Sequence, residues 1–279
     1  MLASPVLAAL FALSAAAAWG SGDFTGGLVA RRIGAFYAVL ASYAVGLVAL
    51  AVVALARGEM LPPPADVWWG AVAGLAGVVG LGFLLRGFSE GRMGIVAPVS
   101  AVLTASIPVL FAALTEGIPG SLQLAGFGVA LAGLWLLSRP QELGRPGGLG
   151  VALLAGLGFG AFFVALDQVG ATSTFWPLAA GRLAALAVMV PLALARRRPL
   201  LPRGAPLGLL VLAGVLDAAG NLFFLLATQT GRLDVAAVLA SLYPAFTTLL
   251  AWLIAGERMT RLQVAGAGAA IVAIVFITV

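Results

Sequence analysis

Three residues in the second half of the chain have side chains suited to holding and releasing an anion. Arg182, Asp217 and Asn221 stand inside runs made otherwise of Ala, Leu, Val, Gly and Phe. A guanidinium takes a carboxylate through paired N–H groups, a neighbouring acid can compete for it, and an amide adds a donor and an acceptor. Asp217 and Asn221 are four apart and share a helical face. Arg182 and Asn221 each lie about eight or nine residues into their segments from one common end, so at ~1.5 Å per residue they reach one level. A permanent Arg182–Asp217 ion pair tying two helices together satisfies the same spacing. A further carboxylate, Asp23, falls in the glycine-rich stretch AWGSGDFTGG. It either lines a solvated cavity or pairs with Arg31 or Arg32. Asp217 and Asp23 are the natural proton carriers if a proton moves. Trp19, Tyr43 and Tyr243 add aromatic faces that stack on a flat or cationic solute, or simply pack.

The elements that position these groups follow from composition. Of 279 residues, 62% are hydrophobic and 9% charged, against roughly a quarter charged in soluble domains. The chain therefore reads as an integral membrane protein. Histidine, cysteine and lysine are absent, which removes imidazole acid–base work, thiol chemistry and the lysine of a nucleotide-binding phosphate loop. No cofactor or metal site is expected, and an intramembrane enzyme would have only carboxylates, hydroxyls and arginines to work with. A net charge of +5 spread over loops speaks of membrane orientation, not nucleic acid. Met1 leads almost directly into an apolar run too long and glycine-rich for a cleaved leader. That run reads as the first span.

A spanning helix needs about 20 mostly apolar residues. Charge, proline and glycine clusters divide the chain into ten such segments, 4–30, 35–57, 66–88, 94–115, 120–138, 148–170, 174–195, 206–229, 233–255 and 260–278. Continuous apolar runs without alternation select helices over a barrel. Asp66 and Asp234 are expected caps, Pro206 a first-turn residue, and Thr260 with Gln263 a capping box. Pro108 and Pro244 fall inside expected helices, and Gly20 and Gly22 loosen the first. These four are the candidate hinge positions.

Sliding the sequence on itself by 140 positions brings Trp19-Gly20 opposite Phe159-Gly160, Gly74 opposite Gly214, Gly80 opposite Gly220, Gly91-Arg92 opposite Gly231-Arg232, and Leu122-Gln123 opposite Leu262-Gln263. A single ungapped register carries them all. The repeat unit, 1–139 then 140–279, holds five helices. An odd number forces the second copy to enter the bilayer upside down. The expected fold is all-α, ten transmembrane helices as two inverted five-helix repeats, an architecture shared by many secondary transporters.

The second copy closely resembles the EamA repeat of the drug/metabolite transporter superfamily, through LASLYPAFTTLLAWLIAGERMTRLQVAGAGAAIVAIVFI with its Tyr243-Pro244, Gly256-Glu257-Arg258 and Gln263-x-x-Gly266. Trp19-Gly20 and the stretch around Arg182 resemble other parts of that repeat. In the first copy Thr104 faces Pro244, Ser42 faces Arg182, and Glu116 falls one place short of Glu257. The resemblance implies a carrier of small organic metabolites, amino acids and related compounds especially, often an exporter in the cytoplasmic membrane. A uniporter or channel-like permease for another solute is the alternative.

Alternate loops place Arg31, Arg32, Arg86, Arg92, Arg139, Arg145, Arg196, Arg197, Arg198, Arg203, Arg258 and Arg261 on one side, and only Arg57 and Arg232 on the other. The rich side is expected to be cytoplasmic, with both termini outside. Trp68, Trp69 and Trp176 read as interfacial anchors, Asp167 as interfacial, and Glu257-Arg258 as a turn pair. The expected partners are the small-molecule substrate, the lipid bilayer and a proton as coupling ion. The chain would act as monomer or homodimer.

Overall fold

The computed structural model describes residues 5–90, 93–138, 148–197 and 199–278. Gly91-Arg92, Arg139, Arg145, Arg198 and Met1 lie outside the described residues. Helices fill the rest: α1 (Pro5–Ile33), α2 (Ala35–Ala56), α3 (Pro64–Ser89), α4 (Met93–Thr115), α5 (Ser121–Leu137), α6 (Leu149–Asp167), α7 (Phe175–Ala195), α8 (Leu207–Thr230), α9 (Leu233–Ala240), α10 (Tyr243–Ala255) and α11 (Arg261–Thr278). Among the described residues nine stretches are long and apolar enough to cross a bilayer, counting Leu233–Ala255 as one. The 17-residue α5, at the short end of the spanning range, makes the tenth.

The ninth span is two helices, not the single one expected. Proline has no N–H and its ring collides with the carbonyl four residues back. For Pro244 that residue is Ala240, where α9 stops. Ser241 and Leu242 bridge the break, and Pro244 sits in the first turn of α10. Pro108 does stay inside a continuous helix, α4, together with Pro98. Helix α1 runs unbroken through Gly20 and Gly22.

Packing obeys a two-fold relation. Helix α1 docks on α8 as α6 docks on α3, while α2 meets α7 and α5 meets α11. Individual contacts repeat at the 140-residue register. A Cβ added to Gly20 would fall 3.0 Å from the Thr247 nitrogen, and one on Gly160 would fall 2.6 Å from Ile107 Cδ1. Gly126 meets Ile277 at 2.7 Å where Gly266 meets Leu137 at 2.9 Å. Lipid-like surroundings give no hydrophobic drive between helices, so small residues that let backbones approach supply the packing. Duplicated glycines therefore keep duplicated seams.

Several end signals resolve differently from expectation. Asp66 turns its carboxylate to the Gly170 N–H at 3.0 Å, away from its own helix, whereas Asp234, clamped by Arg232 at 2.7 Å, accepts the Val235 N–H in the first turn of α9 at 2.8 Å. Pro206 occupies the N-cap of α8. Thr260 and Gln263 do form the reciprocal box, at 2.9 and 3.2 Å.

Candidate functional site

Arg182 comes from the second turn and beyond of α7, whose start is fixed by a loop residue. The carboxylate of Glu59, between α2 and α3, accepts the backbone N–H groups of Thr174, Phe175 and Trp176 at 2.6 to 3.2 Å. These are the orphan donors of a helix N-terminus, where negative charge is favoured. The Trp176 indole N–H donates to the Glu59 carbonyl at 3.0 Å, so Trp176 is a docking residue more than a lipid anchor. With α7 set in depth and rotation, Arg182 is 3% exposed. It forms an ion pair with Asp217 of α8, and its guanidinium carbon lies 4.7 Å from the centre of the Tyr43 ring on α2. The Nε and Nη2 donors of Arg182 have no hydrogen-bond partner among the described residues. A buried guanidinium with open donors is costly unless something accepts from it.

Asn221 lies one turn beyond Asp217 and accepts the Trp19 indole N–H at 2.9 Å. Trp19 stacks on Phe163 with ring centres 5.6 Å apart, and Phe163 stacks on Phe224 at 4.4 Å. Together with the fully buried α9, these rings seal the molecule toward the ends where α1, α3 and α7 begin. Above the seal lies a cavity of about 440 Å³, within the range of small-molecule sites. Trp19, Asp23, Tyr43, Arg182, Asp217, Asn221 and Tyr243 all line it, so every residue expected to bind or couple meets at one place. Its walls run out to Ala30 on α1, Ala35 and Ala38 on α2, and Leu84 and Leu85 on α3. That mouth is at the end bearing Arg31, Arg32 and Arg86.

Asp23 takes the first of its two expected roles. Arg31 pairs instead with Glu257 at the tip of α10, at 3.2 Å across two exposed side chains. Asp23 is exposed to the cavity, and its neighbour Gly22 packs on the backbone of Asp217. Gly20 lies against the carbonyl of Tyr243, beside the break in the ninth span, and accepts a hydrogen bond from Thr247 at 3.1 Å.

At the sealed end, Arg232 donates to the carbonyls of Glu116 and Gly117 at 3.2 and 2.7 Å, and the Glu116 carboxylate accepts the Leu233 N–H at 3.2 Å. Burial there holds the Glu116 carboxyl above the usual carboxylate range. This latch joins α4 to α9 and closes the face opposite the mouth.

A family model of EamA-like transporters matches residues 6–139 and again 146–279. The chain belongs to the EamA-like transporter family. Two matches of one model in tandem fit the pairwise repetition of the glycine contacts. Among solved structures, a crystal structure superposes with a TM-score of 0.79 over 98% of this chain and 96% of that one, at 20% identity. That likeness shows the fold alone. No curated protein matches in sequence.

Phe159, Phe162, Ser42 and Thr104 also line the cavity without having been singled out from sequence. The register held the signal, since Phe159 faces Trp19, Ser42 faces Arg182 and Thr104 faces Pro244. Glu59 carried no such signal, because its partners are backbone groups more than a hundred residues away.

Proposed function

We propose that this membrane protein is a secondary transporter that moves a small organic metabolite, an amino acid or related compound, by alternating access across the cytoplasmic membrane. One observation carries the reading: a cavity at mid-span depth ends on a buried arginine with two donors that no described residue accepts. A substrate carboxylate satisfies them, while Asp217 holds the site when it is empty and competes for the guanidinium on release.

The arginine-rich end faces the cytoplasm by the positive-inside rule, so the cavity is open inward and positioned to load for export. The two repeats, 1–139 and 140–279, exchange conformations to open the other end. Bending is concentrated at the Pro244 break with Gly20 against it, and at Pro108. Gly22, on the Asp217 seam, lets α1 slide with them. Asp217 or Asp23 carries a coupling proton inward as substrate leaves.

Counterflow in proteoliposomes tests this. Vesicles preloaded with a panel of amino acids, nucleosides, sugars and quaternary amines are expected to show saturable uptake of a labelled amino acid. Uptake only for another solute class contradicts the cargo, and non-saturating flux at pore-like rates contradicts a carrier.

A further inference from the structure

The cavity holds one more charged group than carboxylate recognition needs. Among the described residues facing it, Arg182 contributes one positive charge and Asp217 and Asp23 two negative ones. Arg182 and Asp217 neutralise each other. Asp23 makes no hydrogen bond or ion pair with any described residue, and Arg31 is 72% exposed and engaged with Glu257. An unpaired carboxylate at membrane depth is expensive and persists where it faces water or a cationic partner.

The surroundings of Asp23 suit an ammonium. Trp19, one turn before it on α1, and Tyr243, across from it at the start of α10, bring aromatic faces to the same cavity and attract cations. Toward the mouth, α1 continues as Gly26 and Gly27, and a Cβ placed on either meets nothing within 4 Å. The turn of that wall next to Asp23 thus carries no side chain, before Val29 and Ala30 line it nearer the mouth. Arg182, 97% covered and still with two unpartnered donors, faces the same space from α7.

We propose that Asp23 is a second recognition subsite, taking a protonated amine, so that the cavity selects solutes with an ammonium group. The carboxylate of an amino acid then lies at Arg182 and its ammonium at Asp23. This rests on reading the cavity as the substrate site. Because the cavity brings two carboxylates against one guanidinium, the amine is the stronger of the two requirements. A decarboxylated amine binds, and a deaminated acid does not.

Three probes that differ only in these groups test it: phenylalanine, phenethylamine and phenylpropionate, titrated by calorimetry against the purified chain. The expected order is phenylalanine, then phenethylamine, with phenylpropionate at least tenfold weaker than the amine. Asp23→Asn is expected to weaken phenethylamine tenfold or more, and Asp23→Glu to preserve the order. Because Asp23 has no protein partner, both variants should keep the wild-type melting temperature, which establishes that each is folded. Phenylpropionate binding as well as phenethylamine, or Asp23→Asn leaving the order unchanged, overturns the ammonium subsite while leaving the cavity as substrate site. Binding of none of the three to the wild-type chain overturns both readings.

Discussion

Arg182→Ala is expected to abolish counterflow and to lower thermal stability, whereas Arg182→Ala/Asp217→Ala restores the stability without restoring transport. The guanidinium is 3% exposed and its partner carboxylate 34%. Removing the cation leaves Asp217 charged, unpaired and at mid-membrane depth. Breaking a buried pair from one side costs about 3–5 kcal/mol. Access of solvent to Asp217 brings the figure toward the lower bound. The Tyr43 ring loses its cation as well, an effect of about 1 kcal/mol. Deleting both members removes the stranded charge, so melting in detergent recovers while the substrate still finds no donor pair. Arg182→Lys keeps the charge without the fork, and should fold yet transport poorly. Counterflow by the double variant would show that Arg182 is a strut and nothing more.

Gly74→Val is expected to have an effect as large, for a steric reason. Gly74 on α3 rests directly on the backbone of Gly181 on α7, one residue before Arg182, and Gly70 rests on the Pro177 carbonyl one turn away. A side chain at either point meets main chain, which has no rotamer to change. Overpacking in protein interiors costs about 1–3 kcal/mol where neighbours can adjust, and here they cannot. Helix α7 must separate from α3, carrying Arg182 away from Tyr43 and Asp217. Loss of a monodisperse peak in size-exclusion chromatography is the expected readout. Gly82→Val, where an added Cβ meets nothing within 4 Å, should elute as wild type. A well-behaved Gly74→Val protein with normal transport would mean that the α3–α7 seam is not the scaffold of the site.

The span count, the duplicated unit and the charged residues of the cavity were legible because each has a signature in one dimension. Apolar length marks spans, a fixed offset marks duplication, and a charge inside an apolar run marks a place where lipid is not the neighbour. The Arg182–Asp217 pair was allowed by the shared level of Arg182 and Asn221, with Asp217 one turn from Asn221 on the same face. What escaped depends on contacts distant in sequence. Glu59 reads as an ordinary loop carboxylate until α7 arrives to be capped, and nothing in the turn around Glu257 signals that α1 brings Arg31 to it as well. The break at Ser241–Leu242 was misplaced for another reason. Proline in a transmembrane segment is compatible with a kinked continuous helix or with two helices, and α4 shows the first outcome at Pro98 and Pro108. The one-residue offset between Glu116 and Glu257 also acquires a cause. Both flank a glycine with positive φ that ends a helix, Gly117 at 90° and Gly256 at 68°, but the acid precedes it in the first copy and follows it in the second. The terminating turn was kept while the acid changed sides.

Accessibility of single cysteines from each face of the membrane bears most directly on two antiparallel halves exchanging shape around one cavity. The chain has no cysteine of its own, so each introduced thiol reports alone. Ala38 lines the open mouth, and its counterpart at the 140-residue register is Leu178, which is 3% exposed in this conformation. Ala38→Cys should react with a membrane-impermeant maleimide from the arginine-rich face only, and Leu178→Cys from the opposite face only. Bound substrate should shift the two rates in opposite directions. Labelling of both positions from the same face would contradict the inverted arrangement, and with it the exchange of conformations on which transport is built.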